Sequence, residues 1–197
     1  VIDAVRRHGP GILPWGDAGA ALRERLSWLH GALGEPWPDM SDAALLDDLE
    51  TWLLPFLPGE ASLSAISGDR LKNALLSRVP YELQREIDRL APARFTLPTG
   101  NTVALDYREA DVVLSARVQE LFGLTSHPAI ASGKVPLLVE LLSPAHRPIQ
   151  TTRDLPGFWA GSWADVRADM RGRYPKHVWP ENPAEAEPTA RAKPRGR

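Results

Sequence analysis

"APARFTLPTGNTVALDY", Ala91 to Tyr107, is where the chain changes its period. Upstream, apolar residues recur every three to four positions. Within this stretch Phe95 and Leu97, then Val103, Leu105 and Tyr107, alternate with their neighbours on either side of "PTGN". Strand side chains point to opposite faces in turn, whereas helix side chains return to one face after three or four residues. The alternation predicts a β-hairpin. The change of period predicts a boundary near residue 92 between a helical half and a β-rich half.

Working back from that boundary, the first 92 residues read as helices. After the breaker "GPGILPWG", Leu22, Leu26, Leu29 and Leu33 lie on one helix face, with Asp17 placed to cap it. "GEPWPDM" ends that helix. Ser41 and Asp42 open another, in which Leu45, Leu49, Trp52, Leu53 and Phe56 form an apolar stripe and Asp47, Asp48 and Glu50 the wet side. That position makes the acidic trio a solvated face rather than a carboxylate pair for acid/base work. Pro55 is expected to kink or shorten its last turn. Two shorter helices are predicted over 69–79 and 80–91, the second with Leu83, Ile87 and Leu90 inward and Pro80 as its first residue.

Working forward, strand-like runs follow at 112–117, 136–142 and 148–152, punctuated by Gly, Pro and Ser. "VQELFGL" fits either a strand end or a single helical turn. Helical spacing returns over 155–171 through Phe158, Trp159, Trp163, Val166 and Met170, and residues 184–197, "AEAEPTARAKPRGR", have the composition of a disordered tail. The predicted class is α+β: a helical bundle over 1–92, a small, mostly antiparallel β domain with a C-terminal helix over 93–183, and a flexible basic tail over 184–197. About five short strands also suit an oligonucleotide-binding-like barrel.

A chain of 197 residues with 43% hydrophobic content can bury one ordinary core or two small ones. Its formal net charge of −2 argues against a general polyanion binder, but the charge is unevenly placed. Residues 1–92 carry nine Lys/Arg against fourteen Asp/Glu, a net −5; residues 93–197 carry fourteen against eleven, a net +3. Without Cys there is no disulfide and no thiolate metal site, which suits the reducing cytoplasm. The longest apolar runs, "WLLPFL" and "VPLLVELL", fall short of the ~20 residues a membrane helix needs. No signal-peptide pattern opens the chain, and a start at Val1 reads as part of something longer.

Catalytic and nucleotide motifs do not emerge. "PAIASGKVP" has Pro128 and Val135 where a phosphate loop needs Gly and Ser or Thr, so Ser132, Gly133 and Lys134 read as a turn. "GSWAD" lacks the glycines of a nucleophile elbow, and no HExxH occurs. His8, His30, His127, His146 and His177 are isolated along the sequence and read as surface or loop residues.

One segment mixes charge with planar side chains. "MRGRYPKHVWPENP", Met170 to Pro183, holds Arg171, Arg173, Lys176 and His177 with Tyr174 and Trp179. Arginine pairs phosphate through two parallel hydrogen bonds, lysine adds a point charge, and aromatic rings stack on unpaired bases. With Arg153 and Arg167, these residues are the candidates for contact with single-stranded nucleic acid. The reading that the residues alone favour makes Tyr174 and Trp179 pins for a C-terminal strap, with arginines paired to Asp165 and Asp169, and spacing does not overturn it.

The order of "SDAALLDDLETWLLPFL", "EIDRLAP", "VQELFGL", "VPLLVELLSPAHRPIQTTRDLPGFWAGSW" and "VRADMRGRYPKHVWPENP", ending in "ARAKPRGR", resembles the C-terminal region of bacterial HrpB-type ATP-dependent helicases. The resemblance runs from about Leu13 to the end. Such proteins are similar to the DEAH/RHA group, whose motor couples ATP hydrolysis to movement along RNA. What this implies is an accessory region: the phosphate loop, the DEAH-like box and the arginine fingers have no counterparts here. ATP and magnesium would then belong to motor domains of the same polypeptide. RNA or another single strand is the implied partner, with a bracing or partner-docking role as the alternative.

Overall fold

The helical expectation for the first ninety residues is met by seven α-helices. They are α1 (Ile2–His8), α2 (Gly16–Leu33), α3 (Asp42–Asp47), α4 (Leu49–Trp52), α5 (Gly68–Ser77), α6 (Tyr81–Gln84) and α7 (Ile87–Leu90). The computed structural model describes residues 1–57, 59 and 62–192, and separates into a unit over Val1–Ala91 and another beginning at Pro92. Leu22, Leu26 and Leu29 of α2 are buried, while Leu33 at the helix end is not. Asp17 makes no cap bond; Trp15 occupies that position, and the carboxylate sits in the first turn, where it favours the positive end of the helix dipole.

The helix predicted from Ser41 to Pro55 breaks earlier than proline requires. Ser41 caps α3 by accepting the Ala44 N–H at 3.3 Å, and the break falls at Asp48, whose backbone has φ −120° and ψ 33°. The cause is the indole of Trp52, only 1% exposed, which donates to the Leu45 carbonyl at 2.8 Å. That carbonyl is the one a continuous helix would offer to the Leu49 N–H. A buried indole N–H needs an acceptor, and here it replaces a helical bond. Trp52 also stacks on Trp15, with centroids 6.2 Å apart. Arginines tie the helices across the unit: Arg23 to Asp42 at 2.5 Å, Arg25 to Asp88 at 2.5 Å and to the Ala91 carbonyl at 2.7 Å, and Arg78 to Asp48.

From Pro92 the alternating pattern becomes strands β1 (Arg94–Thr96), β2 (Thr102–Ala104), β3 (Asp106–Tyr107), β4 (Val112–Arg117), β5 (Ala129–Ile130), β6 (Val135–Pro136), β7 (Leu138–Leu142) and β8 (Pro148–Thr152). β1 and β2 form the predicted hairpin, Phe95 opposite Val103, and Gly100 supplies the positive φ of 87° that its turn needs. A four-stranded sheet runs β3-β4-β7-β8, antiparallel except at β4–β7. A parallel pair requires a crossover, which residues 118–137 provide. "VQELFGL" resolves to a 3-10 turn, Val118–Leu121, with all four residues buried. His127 secures the crossover: its Nδ1 accepts the Leu155 N–H at 3.0 Å, so Nε2 carries the proton and donates to the Leu137 carbonyl at 2.6 Å.

The single helix predicted over 155–171 is two, α8 (Leu155–Ala160) and α9 (Trp163–Arg173), divided at Gly161. Asp154 caps α8 by accepting the Gly157 N–H at 3.0 Å. A Cβ on Gly157 would lie 2.2 Å from Asp154 Oδ2, so the cap and a side chain there exclude each other. Phe122, Phe158, Trp159 and Trp163 make the aromatic centre of the unit, with Phe122 and Trp159 edge-on or tilted to their neighbours at 5.5–6.0 Å. Residues 184–189, assigned to the tail by composition, are held here instead. The Gly123 N–H donates to the Pro183 carbonyl at 2.9 Å, and the Thr189 N–H to the Gln119 carbonyl at 3.0 Å. Composition registers neither bond because both partners lie far back in the sequence. Residues 193–197 of the expected tail are outside the described residues.

Candidate nucleic-acid interface

The segment from Arg167 to Pro183 is folded against its own helix by three donors. Trp163 Nε1 donates to the Pro180 carbonyl at 3.0 Å, Arg167 Nε to the Trp179 carbonyl at 2.9 Å, and Trp179 Nε1 to the Tyr174 carbonyl at 2.8 Å. Two sequence candidates change role as a result. Trp179 is 6% exposed and packs 6.2 Å from Trp163, so it is a core residue and not a platform for a base. Arg167 is half-buried, directed to a backbone carbonyl, with Glu181 3.7 Å from its other nitrogen. Trp179 thus faces inward, while Tyr174 is half-buried.

His177 lies between Tyr174 and Trp179, 6.4 and 6.3 Å from their ring centroids, and its buried Nδ1 has no partner among the described residues. Burial, and then the positive charge of Arg117, hold its pKa below the ordinary histidine value. It is neutral at pH 7 and brings no charge to a phosphate. Arg153 is exposed but pairs with Asp111 at 2.7 Å; that hydrogen bond lowers the Asp111 carboxyl and raises the Arg153 guanidinium.

The remaining candidates face solvent. Arg171 and Lys176 are exposed and have no acidic partner among the described residues. Arg173 is exposed, 3.4 Å from Asp169, with its guanidinium 5.8 Å from the centroid of the Tyr174 ring. Tyr174 is half-buried, with its hydroxyl donating to Ser143 Oγ at 3.3 Å. Its ring thus lies between the exposed Arg173 guanidinium and the His177 imidazole, which stands at 81° to it.

Arg117 and Ser143 were not singled out by the sequence, since nothing in their local pattern announces contacts with the C-terminal loop. Arg117 also bonds Glu120 at 3.1 Å; that carboxylate, 5% exposed, takes further bonds from Asn101 at 2.7 Å and Thr99 at 3.2 Å. A buried carboxylate needs such donors, and this one fastens the β1–β2 turn to the crossover. No group of three or more His, Asp or Glu able to hold a metal occurs among the described residues. A cavity of about 590 Å³ lies in the helical unit, lined in part by Leu22, Leu76, Tyr81 and Ile87.

The comparisons agree on kinship. The ATP-dependent RNA helicase HrpB of Escherichia coli (strain K12) is 43% identical over 195 residues, covering 98% of this chain and 24% of that protein. A crystal structure of the E. coli DExH-box NTPase HrpB matches with a TM-score of 0.88 at 42% identity, covering 98% of this chain and 24% of that one. Another, of the Escherichia coli DEAH/RHA helicase HrpB, matches with 0.75 at 41% identity, covering 91% and 23%. The chain thus spans about a quarter of the relatives it matches. No described helix is long and apolar enough to cross a membrane. With the family profile for the HrpB ATP-dependent helicase C-terminal region matching residues 52–183, the chain belongs to that family.

Proposed function

We propose that this accessory C-terminal region contacts single-stranded nucleic acid beside a motor carried elsewhere on the polypeptide, and does so through the end of α9 and the loop after it. The observation that carries the reading is the set of exposed cations Arg171, Arg173 and Lys176, two of them with no acidic partner among the described residues. Kinship with an RNA helicase supports RNA as the strand. Arg171 and Lys176 engage phosphates, and Arg173, backed by Tyr174, offers a planar face to a base. ATP and magnesium belong to the motor, and the setting is the cytoplasm.

A second reading, a module that braces the motor or docks a partner, draws on the inward half of the same segment. Trp163, Arg167 and Trp179 fix it to the β unit, as a rigid brace requires. Fluorescence anisotropy of labelled single-stranded RNA over a salt series separates the two. Each phosphate contact on a single strand contributes about 0.7 to the slope of log affinity against log salt. The Arg171→Ala, Arg173→Ala, Lys176→Ala variant should therefore flatten the slope by about 1.4, from its two lost phosphate contacts, and weaken binding further through the lost Arg173 face. An unchanged slope, or no binding by the parent chain, would favour the brace.

A further inference from the structure

We infer that the tip of the β7–β8 hairpin is a second wall of this interface, supplying Arg147 as a further phosphate contact for a single-stranded nucleic acid; the inference rests on the function proposed above. The link is one buried oxygen. Ser143 is 2% exposed, and its Oγ receives both the Tyr174 hydroxyl at 3.3 Å and the Arg147 N–H at 3.2 Å. The hydroxyl of Tyr174 and the backbone of Arg147 are thus no more than two hydrogen-bond lengths apart. On the other side of Tyr174 lies the Arg173 guanidinium, 5.8 Å from the ring centroid. The Arg147 backbone and the Arg173 guanidinium therefore both lie beside one half-buried tyrosine, from residues 26 positions apart in sequence.

The hairpin tip is held firmly. Ser143 N–H donates to the Arg147 carbonyl at 2.8 Å, and His146 N–H to the Ser143 carbonyl at 2.9 Å. His146 closes the turn with φ 60°, a left-handed conformation that histidine tolerates better than most side chains. Arg147 is exposed and has no acidic partner among the described residues. A strand whose base lies on the Arg173 guanidinium meets further cations: Arg171 from the end of α9, Lys176 from the loop after it, and Arg147 from the hairpin. His146 is a positioning residue, since it sets the turn from which Arg147 emerges.

The test extends the salt series to Arg147→Ala and Arg147→Lys in the 197-residue chain, with single-stranded RNA and poly-glutamate as alternative ligands. Arg147→Ala should lower the salt slope by about 0.7, and Arg147→Lys, which keeps the charge, should restore it. An unchanged slope in Arg147→Ala, with the triple variant still flattening it, would remove the hairpin from the interface and leave the proposed function standing. If poly-glutamate displaces the RNA at equal charge concentration, the surface takes acidic polypeptide and the assignment to nucleic acid is overturned. If the parent chain does not bind RNA at all, the proposed function fails and the hairpin with it.

Discussion

In the helical unit Arg6 meets Glu50, Arg23 meets Asp42, Arg25 meets Asp88 and Arg78 meets Asp48, and the partners stand 19 to 63 positions apart. In the β unit Arg153 reaches back 42 positions to Asp111, but Arg108, Arg117 and Arg173 meet acidic residues two to four positions away. The difference is one of what folding accomplishes. A long-range pair exists only once the chain has folded, whereas a pair at i and i+4 on an exposed helix contributes about 0.3–0.5 kcal/mol and is screened by salt. The side chains of Arg25 and Arg78 are each 11% exposed; that of Arg173 is 55% exposed. Arg25 and Arg78 of the first unit are parts of its architecture, whereas its Arg89 pairs locally with Glu86. Arg173 can exchange Asp169 for a base at little loss, and Arg171 has no acidic partner to give up among the described residues.

That contrast would be broken most severely by removing an inward member of the C-terminal segment. Trp179→Ala should destabilise the β unit by about 3–5 kcal/mol, a value common for loss of a buried aromatic, while Tyr81→Ala, at a site 85% exposed, should stay within about 0.5 kcal/mol. Urea unfolding followed by fluorescence measures both, and a mild Trp179→Ala would return that residue to the list of binding candidates. Next in size is Arg25→Ala, which leaves the Ala91 carbonyl without its donor. About 1–3 kcal/mol is expected, mostly from that carbonyl, because Asp88 is well solvated. Arg171→Ala under the same conditions should be neutral in stability and visible only in binding. Gly157→Ala follows, at about 0.5–2 kcal/mol, because the added methyl evicts the Asp154 cap. Asp154→Ala should then add nothing further in the double variant.

The boundary near residue 92, the hairpin around Gly100 and the strands at 112–117 and 148–152 were legible because each rests on local periodicity. The breaks at Asp48 and Gly161 were not. The first depends on where an indole finds its acceptor, which packing settles; the second falls at Gly161, whose φ of −113° and ψ of −92° leave the helical region. At the candidate interface the sequence located the segment but not its sidedness. Charge and aromaticity mark Arg173 and Trp179 alike, yet one lies exposed over Tyr174 and the other is sealed beneath Trp163. Ser143, the oxygen on which hairpin and loop converge, carries no sequence signal, since a serine beside a proline ordinarily marks a turn.

The smallest expected effect, and the one that probes sidedness most finely, is the pH response of His177. Its folded-state pKa is depressed, through burial first and Arg117 second, so the unfolded chain binds its proton more readily than the folded one. The resulting contribution to stability is zero where the imidazole is neutral in both states. It becomes a penalty as pH falls through the unfolded value of about 6.5. The charged groups around the ring are Arg117 and, through it, Glu120, with the phenol of Tyr174 alongside. Urea midpoints of the parent chain should therefore fall more steeply between pH 7 and pH 5 than those of His177→Gln, whose side chain does not titrate. If His177 instead faced the ligand as a phosphate contact, RNA would bind its charged form and raise its pKa. A histidine resonance followed by NMR through the same pH range, with and without RNA, distinguishes the cases: a curve unmoved by RNA keeps His177 on the inward side, and an upward shift would move it to the binding surface.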